Sequence, residues 1–333
     1  MAAGKKSKGA KAAAPRKWPR YLVAVALVVG LVVAGLHFSE LGKFVELARK
    51  SDPIWLLLAL GLQLATYPVQ AFVWQAMGRA SGTPVGHWAA IKMSLAKLFV
   101  DQSLPTGGVT GTLVVSKALR DKGMSAKAAS ATVVVYTIAN QGVFVLSLAV
   151  GLGIAIFQGK APKTILIGSG VGVAVGALIT AGALILSRKR GGALRRMAEK
   201  IPPLRAMLKS LAEADPKLTR RPILLTEVAA YQFLVLLIDA ATIWVLLLAV
   251  GVRGSISGVY ASFVFSNVFH AIGIIPGGLG VFEAASVVSL RLAGVSLEAA
   301  ISATLMYRIL SFWLPMIPSW WVAHRLTRKR SAS

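Results

Sequence analysis

Cysteine is absent from this 333-residue chain, which removes disulfides, thiolate nucleophiles and cysteine-containing metal sites from consideration. Histidine is nearly as scarce. The four, His37, His87, His270 and His324, are too scattered for a sequence-local metal motif such as H-E-x-x-H. Acidic side chains are few as well: 12 Asp and Glu stand against 37 Lys and Arg, a formal net charge of +25. Charged residues of both signs make up only 15% of the chain, where a soluble domain carries about 25%. What fills the sequence instead is hydrophobic, 56% of all residues.

So basic a chain invites a nucleic-acid reading, and the placement of the charge argues against it. The cations gather at Lys5, Lys6, Lys8, Lys11, Arg16, Lys17 and Arg20, at Arg188-Lys189-Arg190 with Arg195, Arg196 and Lys200, and at Arg325, Arg328, Lys329 and Arg330. Each cluster abuts a long apolar segment, the pattern by which the positive-inside rule writes orientation and a cytoplasmic face meets anionic lipid.

A membrane span needs about 20 mostly apolar residues. Six stretches qualify: 19–37, 53–77, 126–157, 164–187, 222–250 and 297–322. The first follows a basic tail as a signal-peptide core would, and it reads as a retained anchor because more spans follow. The run 126–157 is too long for one straight crossing, and Gly142 is a plausible place for a bend. Continuous apolar runs without period-two alternation argue against a β-barrel.

Two further apolar stretches are interrupted. Residues 88–104 meet Pro105-Thr106-Gly107-Gly108, and 259–275 meet Pro276-Gly277-Gly278-Leu279-Gly280. Each break frees backbone groups that lipid cannot satisfy, so such backbone belongs in a protein interior or a wet cavity. Two re-entrant helix-break-helix hairpins follow as the economical reading. Two pairs of full crossings would preserve the same sidedness and stay open. Either way the basic clusters fall on one face, with both termini cytoplasmic.

The two broken regions align without gaps at an offset of 171 residues: ten of the 34 positions from 105 to 138 are identical to their counterparts, among them Pro105 with Pro276, Gly107 with Gly278, Arg120 with Arg291 and Tyr136 with Tyr307. An odd number of crossings separates the copies, so one hairpin enters from inside and the other from outside. The expected fold is therefore an all-α polytopic membrane protein with about six full spans, eight helical membrane elements and an inverted repeat whose halves centre on 88–157 and 259–322. A basic tail, 1–18, precedes the membrane domain 19–325, and a second tail follows at 326–333. The alternative is that both broken regions are ordinary kinked packing helices.

A helix that begins after a break, near Val109 or Val281, presents unpaired N–H groups and the positive end of its dipole inside the membrane region. Phosphate or carboxylate bound there satisfies both. The candidate binding residues are therefore Pro105, Gly107, Gly108, Pro276, Gly277, Gly278 and Gly280, with the ionisable and polar groups of the apolar runs: Lys97, Asp101, Asp239, Asn267, His270, Glu283 and Arg308. Lys97 and Asp101 are four apart and pair locally, as a structural pair or as part of the site. Arg308 sits near the middle of the last span and needs a partner: a carboxylate from Glu283 or Asp239, or a substrate phosphate. His270 is either titratable in the site or a buried, hydrogen-bonded histidine. Glu227 also lies near a span. Neither glycine-rich break has the spacing of a nucleotide-binding loop, so ATP hydrolysis finds no support. The basic loop 188–221 reads as an amphipathic helix on anionic lipid, broken by Pro202-Pro203.

The segment Gly273-Ile274-Ile275-Pro276-Gly277-Gly278-Leu279-Gly280-Val281-Phe282-Glu283-Ala284-Ala285 resembles the signature of the flippase-like transmembrane family named for lysylphosphatidylglycerol synthase, and Ser103-Leu104-Pro105-Thr106-Gly107-Gly108 resembles that family's first glycine-containing break. The resemblance implies multi-pass residence in the bacterial cytoplasmic (inner) membrane and translocation of a lipid, best supported for aminoacylated phosphatidylglycerol. Pro276, Gly277, Gly278, Gly280 and Glu283 match the signature, with Arg308 placed beside it. The sequence departs from the bifunctional synthases in lacking their soluble aminoacyltransferase domain, which counts against lysyl transfer as its activity and weakens the case for a lysyl-lipid as its cargo. The expected function is flipping or scrambling of an anionic or zwitterionic phospholipid or polyprenyl-phosphate lipid, without cofactor or metal and without enzymatic chemistry. The expected partners are that lipid, anionic lipids at the basic segments, a separate lipid-modifying enzyme and a second copy of the chain. Transport of a small soluble anion and a non-catalytic subunit of an envelope-biosynthesis complex are the alternatives.

Overall fold

The computed structural model describes residues 51–104, 108–157, 202–271 and 276–328, with side chains over the same ranges except 202–204, 269–271, 276 and 323–328. The expected spans 19–37 and 164–187 and the basic run at 188–200 lie outside these residues. All regular structure within them is helical.

Helix α1, Pro53–Ala80, starts where Asp52 accepts from the N–H of Ile54 and Pro53 occupies the first turn, a position where the missing proline N–H costs nothing. Two shorter helices follow, α2 at His87–Ser103 and α3 at Val109–Asp121, and they pack on each other as a hairpin. The 32-residue α4, Ala126–Phe157, then runs without interruption past Gly142, about 48 Å at 1.5 Å per residue.

The segment between the halves carries α5, Pro202–Glu213, and the single turn α6, Pro216–Thr219. Pro202 and Pro203 stand at the start of the described part of α5, and the run before them, which the expected break would separate from it, lies outside the described residues. The buried residues Met207 and Leu208 belong to a helix packed on α3 and α4, while Arg205 and Lys209 are exposed. Within the described residues, the apolar face expected to meet lipid is thus turned onto the protein at Met207 and Leu208.

Helix α7, Pro222–Ala249, lies antiparallel along α1: Gln63 reaches Asp239, and the N–H of Asp52 donates to the carbonyl of Ala249 at 3.0 Å. A second hairpin follows, with α8 at Ile256–Ala271, a tight turn at Pro276–Gly278 and α9 at Val281–Leu292. The last helical run comprises α10, Leu297–Arg308, a π-helical stretch Ile309–Trp313, and α11, Leu314–Arg328. The π stretch ends where Leu314 donates to Ile309, just before Pro315. A proline ring crowds the carbonyl four residues earlier, and widening the turn relieves that contact.

Four helical stretches, Pro53–Ala80, Ala126–Phe157, Pro222–Ala249 and Leu297–Val322, are long and apolar enough to cross a membrane. Large apolar side chains stay exposed along them, among them Leu57, Leu64, Leu146, Leu237 and Ile317, as a lipid-facing surface requires and a water-facing one does not tolerate in such number. Polar and small side chains are gathered inside. Trp74 is fully buried, stacks on Tyr136 at 5.3 Å and donates its indole N–H to Ser94 at 2.9 Å, tying α1, α2 and α4 together.

By 1.5 Å per residue the hairpin arms α2, α3 and α9 are about 26, 20 and 18 Å long, each short of the ~30 Å of a bilayer core, and the described part of α8 is about 24 Å. One end of the molecule carries Arg79, Arg120, Lys122, Lys127, Arg220 and Arg221; it is held by the Arg79–Glu227 ion pair at 2.6 Å and by the N–H of Asp215 donating to Lys127 at 3.1 Å. The first hairpin leaves and returns at this basic end, the second at the other.

Candidate functional site

The tips of the two hairpins meet in the interior. Gly277, in the turn of the second, lies so close to Gln102 near the tip of the first that a methyl group on it would stand 3.2 Å from Oε1 of Gln102 and would run into Phe312. With φ at +62°, this position suits a residue with no Cβ on both counts.

Each short helix after a break is entered through a left-handed glycine, Gly108 with φ +80° before α3 and Gly280 with φ +79° before α9. The two helix starts are not equivalent. At α3 the carboxylate of Asp101 accepts from the N–H of Gly111 at 2.9 Å, while its other oxygen takes the ammonium of Lys97 at 2.6 Å. The first half-helix therefore carries its own internal anion, which satisfies the dipole without a ligand. Lys97 also lies 4.8 Å above the ring of Tyr136, so this lysine is compensated on two sides within the protein.

At the second break the pattern reverses. Arg308, 5% exposed, donates from Nε to Glu283 at 2.6 Å and from Nη2 to the carbonyl of Gly277 at 2.8 Å. Its guanidinium lies 4.5 Å from the centre of Phe312 and 5.4 Å from that of Phe282. Nη1 has no hydrogen-bond partner among the described residues. The fork thus closes the turn, balances one carboxylate and still has a donor to give.

A cavity of about 230 Å3 connects these groups. Its walls come from α1 (Gln63, Thr66, Gln70), α2 (Lys97, Asp101, Gln102), α7 (Asp239), α8 (Asn267) and α10 (Tyr307, Arg308), with Phe263 and Phe282 against Tyr307 as an aromatic side. Asp239 accepts from Gln63 at 2.8 Å, and Gln63 also donates to Thr242 at 3.1 Å. The amide of Asn267 donates to the carbonyl of Phe263 within its own helix.

Of the residues expected at the site, Lys97, Asp101, Asp239, Asn267 and Arg308 line one cavity, and Gly277 and Glu283 are bonded to Arg308. Gly278 is buried in the same turn. Pro105 and Gly107 lie outside the described residues, as do the side chains of His270 and Pro276, whose backbones sit in α8 and the tight turn. Glu227 is not in the cavity but at the basic end, paired with Arg79. Sequence reasoning missed Gln63, Thr66, Gln70 and Gln102. The seven-residue spacing of Gln63 and Gln70 within an apolar span, repeated by Gln232 and Asp239, was the available signal: it puts each pair on one face two turns apart. Among the described residues no group of three His, Asp or Glu side chains is placed to hold a metal ion.

Comparison with known proteins agrees with this architecture. The model of the family described as "Lysylphosphatidylglycerol synthase TM region" matches residues 21–319. The chain is 22% identical over 314 residues to a UPF0104 membrane protein of Methanothermobacter thermautotrophicus, covering 87% of this chain and 91% of that one. It is 23% identical over 322 residues to a UPF0104 membrane protein of Pyrococcus horikoshii, covering 90% and 94%.

Proposed function

The chain belongs to the lysylphosphatidylglycerol synthase transmembrane family, and from that premise we propose that it carries the phosphate-bearing headgroup of an anionic or zwitterionic lipid across the cytoplasmic membrane. The observation that carries the reading is Arg308: a cation 5% exposed, lining a cavity reached by both broken hairpins. A guanidinium at membrane depth is costly unless it serves a wet, polar passage, and its planar fork suits a phosphate.

In this reading the arms too short to span are re-entrant, entering from opposite faces as an inverted repeat. The helix starts support it: α4 begins at Ala126 and α10 at Leu297, displaced by the same 171 residues. The turns after α3 and α9 match in the same way, with Gly123 at φ +96° and Gly294 at +92°. Opposed broken helices around a midplane site are a transporter arrangement. The basic end, by its charge, faces the cytoplasm.

Cavity size sharpens the mechanism. Pockets that enclose a drug-sized ligand whole occupy roughly 300–1,000 Å3, so about 230 Å3 holds a headgroup and not its acyl chains. The chains stay in the bilayer while the headgroup crosses from one hairpin tip to the other. Arg308 receives the phosphate through Nη1, the Glu283 carboxylate keeps the guanidinium oriented, and the aromatic side formed by Phe263, Phe282 and Tyr307 separates the polar track from lipid.

The direct test is reconstitution of the full chain in liposomes with fluorescent phosphatidylglycerol, phosphatidylethanolamine or a polyprenyl phosphate, reading the label accessible to an external quencher. The wild-type protein moves at least one of these lipids and Arg308→Ala does not. Failure of all three to move, with a soluble anion such as phosphate taken up instead, would replace this reading with that of a small-anion carrier.

A further inference from the structure

We propose that Asp239 exchanges a proton with the basic end of the molecule through the seam between α1 and α7, so that headgroup and proton cross together and a proton gradient drives the lipid. This rests on the headgroup-carrier reading above and adds its energy source.

Among the described residues three carboxylates stand in or beside the cavity, and two are committed. Asp101 holds Lys97 and the N–H of Gly111; Glu283 holds Arg308. Asp239 forms no ion pair among the described residues. Its hydrogen-bond partner is the neutral amide of Gln63, and the phenols of Tyr67 and Tyr307 interact with it. Losing or gaining a proton there breaks no ion pair.

The charges that face Asp239 can be followed element by element. From α2 come Lys97 and Asp101, from α10 Arg308 and from α9 its partner Glu283, two pairs that each cancel. From α1 come Gln63 and Tyr67, and from α8 the uncharged Asn267; the side chain of His270 lies outside those described. Summed over the described residues, the cavity is neutral when Asp239 is protonated and carries one negative charge when it is not. An anionic headgroup approaching Arg308 is repelled in the second state and admitted in the first. Proton and anion are thereby linked in one direction of binding, each favouring the other.

The seam supplies the route. Gln70 lies seven residues after Gln63 on α1, and Gln232 seven residues before Asp239 on the antiparallel α7, so the register of the Gln63–Asp239 contact sets both glutamines at one level, two turns or about 10 Å nearer the basic end. The cavity already reaches Gln70. Gln232 is 6% exposed, and Nε2 of both Gln70 and Gln232 is buried with no hydrogen-bond partner. Two buried amide donors left unpaired at one level of an apolar seam are the polar lining that an ordered water chain needs. One residue farther, the hydroxyl of Tyr231 lies 3.5 Å from Glu227, whose carboxylate pairs with Arg79 and is 34% exposed. Asp239, Gln232 with Gln70, Tyr231 and Glu227 thus succeed one another along the two helices toward the basic end, where the Glu227 carboxylate is partly exposed, and the proposal places water between them.

The experiment uses the full chain in two arms. In liposomes of phosphatidylcholine and phosphatidylglycerol containing fluorescent phosphatidylglycerol, a gradient of one pH unit enriches the label in one leaflet by up to about tenfold at one proton per lipid. With Asp239→Asn the leaflet distribution is the same with and without the gradient. In the second arm, infrared spectra of the protein in nanodiscs are titrated with no transport required. A protonated-carboxyl band that follows bulk pH is present in wild type and missing in Asp239→Asn. Its exchange into D2O slows at least several-fold in Gln70→Leu/Gln232→Leu and in Glu227→Gln, while unchanged melting temperatures show that each variant has folded. If lipid moves equally in wild type and Asp239→Asn under every gradient, or no band depends on Asp239, the proton proposal is overturned and the lipid reading stands. If no lipid moves but the band titrates and its exchange depends on Gln70 and Gln232, the lipid reading falls and the proton site stands.

Discussion

Arg308 and Glu283, 25 residues apart in sequence, meet at 2.6 Å, and the second oxygen of Glu283, Oε2, is buried without a hydrogen-bond partner. The pair is thus complete on the arginine's Nε side and open on the carboxylate's far side. It joins α9 to α10 and, through the Gly277 carbonyl, fixes the turn that meets the first hairpin.

Removing either partner leaves the other charged and poorly hydrated. Arg308→Ala and Glu283→Ala are each expected to destabilise the protein by about 3–5 kcal/mol, and the double variant by less than the two together. Thermal unfolding in detergent for the four proteins of the cycle checks this. Additive losses would mean that the ion pair contributes nothing beyond its separate residues.

At Gly277 a side chain meets two obstacles, the left-handed backbone and the ring of Phe312. Gly277→Ala should cost about 1–2 kcal/mol from the backbone alone and more from the collision. Adding Phe312→Ala to it recovers the steric part and not the backbone part. Melting temperatures of the three variants separate the two terms.

The first hairpin hinges on Asp101. Asp101→Asn keeps an acceptor for Gly111 N–H and loses the charge partner of Lys97; Asp101→Ala loses both, with the cap adding about 1 kcal/mol. Gly111→Ala would drive its methyl into the Asp101 carboxylate and to 2.7 Å from the Lys97 carbonyl, displacing the same contact from the other side. The expected order of stability is wild type, Asp101→Asn, Asp101→Ala. Thermal unfolding of the three proteins in detergent reports it.

Because the chain has no cysteine, single cysteines report sidedness without background. Lys122→Cys and Arg253→Cys, both at exposed positions, should react with an impermeant thiol reagent from opposite faces of sealed membrane vesicles. Labelling of both from the same face would dismiss the opposed-hairpin arrangement.

Much of the frame was legible because hydrophobic continuity is a local property. The apolar runs at 53–77, 126–157, 222–250 and 297–322 coincide within a few residues with the four long helices, and proline with glycine marked both breaks. The Lys97–Asp101 pair was legible for the same reason, four residues being one helical turn. Arg308 as an isolated cation in an apolar run was visible too, and Glu283 was one of its two expected carboxylates. Gln102 beside Gly277 and the Asp101 cap on Gly111 were not, since they depend on how two hairpin tips approach each other. Nor was the protein-facing side of α5: amphipathicity shows that a helix has an apolar face, not what covers it.

By itself the amino-acid sequence determined that this chain resides in a membrane, where it breaks, and which of its few ionisable groups lie at depth, because those follow from transfer cost and backbone chemistry residue by residue. Only the tertiary structure decided which charges neutralise each other, that among the described residues Asp239 has no ionic partner, and that Gln70 and Gln232 share one level of the seam between α1 and α7. Those outcomes depend on the antiparallel register of α1 and α7 and on the meeting of two loops over a hundred residues apart, distances that no local pattern encodes.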